Sequence, residues 1–212
     1  MKNKSNLLWV LVLAGALLPK SLTRHFENKI PLELTDTLNI YTTNPPFVYF
    51  NKELNKFDSW IDSTLNESVK NNSNAIIVNK TDYKLYLIKK GKVDSEYNID
   101  LGKNPIDDKQ VEGDFCTPEG MYTVEQKVNS THTKFYKALL INYPNDQDKE
   151  RGKTGSSIEI HGPGGIGRNW TNGCVALSIK DINEIYPHIK KGDRITIVKN
   201  NSKDLSKLIS SE

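Results

Sequence analysis

The sequence predicts a mainly β domain, a sandwich or barrel-like sheet with one late helix, preceded by an N-terminal amphipathic helix. Two observations carry this. Apolar residues recur every three or four positions at Phe50, Leu54, Phe57, Ile61 and Leu65, with Val69 one step further, the spacing that lines one face of a helix. After Asn74 the period drops to two, and short runs rich in Val, Ile, Tyr and Thr are separated by Gly, Pro and Asn/Asp turns, as in a strand-built domain.

Taken in order, Lys2 and Lys4 come first, then "LLWVLVLAGALL", twelve residues from Leu7 to Leu18, then Pro19 and Lys20. The run is shorter than the ~20 residues a membrane span needs. It has the charged start and apolar middle of an export signal, which places the protein in the periplasm or cell envelope. Ala14-Gly15-Ala16 resembles a cleavage site, yet Leu17 and Leu18 follow it, so residues 1–20 read as a cleaved signal or as an anchor in the cytoplasmic membrane. Residues 21–74 read as a polar tether and then the amphipathic helix, which packs on the main domain or holds it off a membrane. "KNNSN" ends that helix.

The expected strands are "AIIVNK", "YKLYLIKKGKVDSEYNIDLG", "GMYTVEQKV", "KALLINYP", "SIEIHG" and "DRITIVK", with "KKGK" as a hairpin turn. The late helix takes Ser178 as N-cap and Asp181 as its third residue, runs through "INEIYPHI", and stops near Pro187 and Gly192. Residues 75–198 form the main domain and 199–212 a tail.

Of 212 residues, 26% are charged and 36% hydrophobic, with a net charge of +3. The modest apolar share suits a chain with linker or tail. Without a dense Lys/Arg block, no nucleic-acid partner is expected, and membrane contact is expected only through the N-terminal segment. His25, His132, His161 and His188 are scattered, with no paired-ligand spacing around either cysteine. No metal or other cofactor is expected. Two cysteines, Cys116 and Cys174, in an exported chain would ordinarily form a disulfide.

Chemistry concentrates in "IEIHGPGGIGRNWTNGCVALS", residues 158–178. His161 falls where the strand from Ser157 ends, and a glycine-rich loop returns the chain to Cys174, followed by strand-like "VAL". Adjacent strand ends bring imidazole and thiol together, so that the histidine takes the proton and the thiolate attacks. Gly173 permits a tight turn that aims amide N–H groups at an oxyanion. A structural histidine and a small core cysteine explain the same residues equally well.

"HG…TNGCVAL" resembles the signature of the L,D-transpeptidase catalytic-domain family of bacterial cell-wall enzymes. "GDFCTPEGMY", "KFYKALLINYPNDQDKERG" and "NWTNGCVALSIKDINEIY" are similar, in matching order, to segments of its murein-specific branch. The resemblance covers roughly residues 75–198. It implies an L,D-transpeptidase-like β-sandwich with strands from both sheets framing the site. By the same resemblance Cys174 is the nucleophile and His161 the general base, its other ring nitrogen held by a backbone carbonyl, that of Gly162. Gly173 and Cys174 supply the oxyanion amides, and Thr171 shapes the loop. Asn172 stands where many members carry a second histidine, Ala176 where many carry arginine, and Asn169 where the murein branch has aspartate. Arg168 is then the nearest candidate to grip a stem-peptide carboxylate, and Trp170 and Tyr122 are candidate cleft-lining aromatics. A Cys116–Cys174 disulfide would abolish the nucleophile, so free thiols are expected.

The resulting expectation is a cysteine transpeptidase acting on peptidoglycan stem peptides through a Cys174 thioacyl-enzyme. The acceptor is a second stem peptide, giving a 3–3 crosslink, or a wall-attached protein. The alternatives are an amidase of the same fold, with water as acceptor, and a non-catalytic wall-binding module. Papain-like enzymes are disfavoured, because their nucleophile precedes the histidine.

Overall fold

The computed structural model describes residues 52–129, 135–164, 168–199 and 205. The expected export signal, the tether and most of the tail lie outside the described residues. Among those described, no helix is long and apolar enough to cross a membrane.

Helix α1, Lys52–Lys70, matches the three-and-four periodicity. Phe57 and Ile61 are buried, and Trp60 and Leu65 are partly so. Val69, expected on the same face, is 62% exposed. The last turn runs past the sheet to a hairpin turn, where Val69 Cγ2 would lie 2.2 Å from a Cβ on Gly91. Val69 is thus covered on one side only. Polar contacts complete the dock: Thr64 and Thr196 hydroxyls meet at 2.6 Å, and Arg194 holds Glu67 with two bonds of 2.7 and 2.8 Å.

Among the described residues ten strands follow: β1 Asn74–Asn79, β2 Lys84–Lys89, β3 Lys92–Asn98, β4 Leu101–Gly102, β5 Gly120–Asn129, β6 Lys137–Ile141, β7 Glu159–Gly162, β8 Asn169–Thr171, β9 Val175–Ala176 and β10 Arg194–Val198. Eight form one sheet in the order β3-β2-β1-β10-β5-β6-β7-β9, and β4 pairs with β8. Strand β5 spans the fold, pairing with β10 through its first residues and β6 through its last. A register shift between Val124 and Gln126 interrupts the pairing with β6 just after the change of partner. Such a bulge bends a strand, and the sheet curls over its own inner face. The mainly β expectation is met.

Side-chain alternation assigns each apolar residue to one of two cores. Ile76, Val78, Leu85, Leu87, Ile195 and Ile197 enter the inner cluster, while Ala75, Ile77, Tyr86, Ile88 and Val198 join Phe57 and Ile61 beneath α1. Both faces are covered, so "AIIV" and "LYLI" read as continuous apolar runs. Lys90 and Gly91 in the "KKGK" turn both have positive φ, 51° and 77°, the two-residue form whose twist matches the strands it joins. Helix α2, Asp146–Glu150, was not expected. It starts with a capping box between Asn145 and Asp148. Helix α3, Ile179–Ile185, has the expected Ser178 cap on Asp181 N–H and passes into a 3₁₀ turn, Tyr186–His188. The strand expected from Ser157 begins two residues later, because Ser157 has φ of 57°, outside the β region.

Candidate active site

His161 sits in β7 between two partners, antiparallel to Ala138 of β6 and parallel to Ala176 of β9. Its carbonyl accepts from Leu177 N–H at 2.8 Å. The side chain is fully buried. Phe135 stacks on the imidazole with centroids 3.5 Å apart and planes at 11°, and Trp170 meets it at 6.0 Å and 79°. Two rings thus fix the plane of the third. Trp170 is itself held by Nε1–H donating to Asp100 Oδ2 at 2.8 Å.

Cys174 lies between β8 and β9, half-buried, its thiol donating to the Ser157 carbonyl at 3.6 Å. Gly173 before it has φ of 128°, and a Cβ there would fall 2.7 Å from the Cys116 carbonyl oxygen. Only glycine lets the turn lie this close to the neighbouring chain. Thr171, buried at the end of β8, ties the turn together: its hydroxyl donates to the Cys174 carbonyl at 2.7 Å and accepts from Gly173 N–H at 3.1 Å. An oxyanion at the Gly173 amide would share or displace this bond. The Gly162 carbonyl accepts from Tyr136 N–H at 2.9 Å.

His161, Cys174, Trp170, Thr171 and Asn172 line one groove of about 800 Å³, with Phe135 on the same side. Lys109, Glu112, Gly113, Phe115 and residues 155–159 complete the lining. One expected substrate contact is corrected. Tyr122 is fully buried, opposite Ile195 in β10, donating to the Glu119 carbonyl and packed edge-on against Tyr143. It is a core residue. Arg168 lies outside the groove lining with its guanidinium over the Tyr83 ring at 5.4 Å. Asn169 accepts from the Tyr83 hydroxyl at 2.8 Å.

Buried lysines brace the loop between β4 and β5, which supplies part of this lining. Lys109 pairs with Asp114 at 2.8 Å, Lys153 with Asp108 and Asp148 at 2.7 and 3.2 Å, and Lys80 with Glu119 at 3.0 Å. Burial would raise the Asp114 carboxyl. The Lys109 ammonium and the N–H groups of Cys116, Val111 and Gln110 outweigh it and hold the group at about 2. Burial lowers Lys80, with Glu119 opposing the shift. Cys116 is buried, its thiol pushed up first by burial and then by Asp114. Neither cysteine is in a disulfide. Among the described residues, no three His, Cys, Asp or Glu side chains are placed to hold a metal ion.

Residues 73–197 match the family described as the L,D-transpeptidase catalytic domain. A protein of Escherichia coli K12 named L,D-transpeptidase YafK is 32% identical over 93 residues, 44% of this chain and 36% of that protein. The helical cell shape determining protein Pgp2 of Campylobacter jejuni is similar in structure, with a TM-score of 0.51 and 27% identity over 68% of this chain and 55% of its own. Bd1075 of Bdellovibrio bacteriovorus gives the same TM-score and identity over 62% and 49%. The chain therefore spans about a third of the one relative's length and half of the others'.

Proposed function

The chain belongs to the L,D-transpeptidase catalytic-domain family, and from that premise we propose that it is an envelope enzyme that cuts and rejoins peptidoglycan stem peptides through Cys174. One observation carries the reading: His161 on β7 and Cys174, the residue just before the neighbouring β9, both line one groove. Cys116, the other thiol, is buried and its ionisation is disfavoured.

His161 takes the Cys174 proton, and the thiolate attacks the amide carbonyl that follows the L-centre of the third stem residue. The Cys174 amide meets the oxyanion as it forms, joined by that of Gly173 as its bond to Thr171 Oγ1 is shared or displaced. When the tetrahedral species collapses, the C–N bond breaks and His161 gives its proton to the departing D-amino acid. An acceptor amine then attacks the thioester and passes its proton to His161, which returns it to the Cys174 thiolate. Phe135 and Trp170 hold the imidazole plane through these transfers. By analogy with Pgp2, named for determining helical cell shape, the crosslinks made or trimmed here set wall geometry.

Water and an amine compete for the same thioester, and the test must separate them. Purified protein is incubated with disaccharide-tetrapeptides, then with wall fragments carrying attached peptide or protein, and the products are resolved by mass. Dimers with loss of a D-amino acid are expected. Release of the attached group with no dimer at any acceptor concentration replaces the transferase with an amidase, and no turnover of either substrate removes the enzymatic reading.

A further inference from the structure

The segment after β3 passes both ends of the loop that carries Cys174. Leu101 N–H donates to the Arg168 carbonyl and Lys103 N–H to that of Thr171, at 2.7 and 3.0 Å. Asp100 exchanges two backbone bonds with Ala176, each of 2.9 Å. Those bonds need no particular side chain. The Asp100 carboxylate nevertheless sits here, only 7% exposed, and accepts from Trp170 Nε1–H. Burying a carboxylate is costly unless it is hydrogen-bonded, so an apolar residue would serve better where only the backbone is needed.

We propose that Asp100 is a positioning residue that sets Cys174 and His161 relative to one another, with its backbone on the strand that follows the cysteine and its side chain on the indole that packs against the histidine. This rests on Cys174 and His161 acting as nucleophile and base. The contacts close a ring. His161 is the register partner of Ala176, Ala176 bridges to Asp100, Asp100 holds Trp170, and Trp170 meets His161 edge-on. The bond to Asp100 fixes the rotation of the indole, since its N–H finds that acceptor in one orientation of the ring. The indole in turn closes off tilt of the imidazole on the side that Phe135 leaves open.

The test reads the cysteine directly, without a peptidoglycan substrate. In a Cys116→Ala background of the full chain, the rate of Cys174 alkylation by iodoacetamide is followed by intact mass against pH, because the thiolate is the species that reacts. Lys109, Glu112 and Glu159, which also line the groove, are common to every variant. Asp100→Leu and Trp170→Phe are expected to slow alkylation near neutrality by on the order of tenfold, the scale of a sub-ångström misplacement, and to move the profile upward in pH. Asp100→Asn keeps an oxygen that accepts from the indole and is expected to restore the profile. On tetrapeptide stems the loss is expected in kcat rather than KM.

A parent profile in Asp100→Leu or Trp170→Phe overturns the proposal, as does an Asp100→Asn profile no better than Asp100→Leu. Should Asp100→Leu fail to fold, Trp170→Phe decides alone. A parent sensitive to His161→Ala but indifferent to these variants overturns only this inference. A parent indifferent to His161→Ala overturns the nucleophile-and-base reading with it.

Discussion

Cys116 is 3% exposed with its thiol on the Asp114 carbonyl at 3.4 Å, whereas Cys174 opens into the groove with its thiol on the Ser157 carbonyl. Cys174→Ala is expected to abolish turnover of tetrapeptide stems while the thermal midpoint stays near that of the parent. Cys116→Ala should keep most activity and cost about 1 kcal/mol, the usual scale for a single substitution. Turnover assays and thermal melts check both variants. A carbapenem should leave its adduct on Cys174, as the family resemblance implies, and intact mass with peptide mapping checks that. The local stretch from His161 to Cys174 was legible because its residues are close in sequence. Tyr122 was misread because alternation alone does not say which face of a strand meets the groove, and pairing with Ile195 turns that ring into the core. Phe135 and Asp100 were missed because they lie tens of residues from Cys174 in sequence, and only strand pairing brings them to the site.

Helix α1 was legible because a fixed spacing of three and four survives any tertiary context, but its partner was not. Its apolar stripe covers the outer face of β1, β2 and β10. Ile61→Ala in that contact is expected to cost about 3 kcal/mol, transfer and cavity terms together, measured by urea unfolding. The loop between β4 and β5 makes a different prediction. Asp114 is held at about 2, below its unfolded value of about 3.9. Its stabilisation is therefore complete above about pH 4 and lost as the pH falls toward 2, and it is worth about 2 kcal/mol. Asp114→Asn should be less stable than the parent at neutral pH and lose less across that acid window, a difference read by thermal melts at each pH. Nothing periodic marks this loop in the sequence, since its order comes from buried ions rather than from a repeating pattern.

For the whole molecule, the β class followed from short β-branched runs and turns. The curl of the sheet did not, because it depends on β5 changing partners along its length. Location is a molecular property too. With the apolar run after Lys2 and Lys4, the native protein is expected outside the cytoplasmic membrane, and finding it soluble in the cytoplasm on fractionation would remove both the export signal and the wall substrate.

The two ends of the large sheet bear on how the protein survives crowding. An open strand is a template on which another chain can add. At one end β3 reads "KVDSEYN", with Glu96 and Asp94 paired to Lys84 and Lys89 across the hairpin. A stacking copy would have to desolvate or part those charges. At the other end β9 is two residues long, and its free side is already taken by Asp100. The contact proposed to align the nucleophile therefore also caps the edge of the sheet at its active-site end, where a stacking copy would have to displace it.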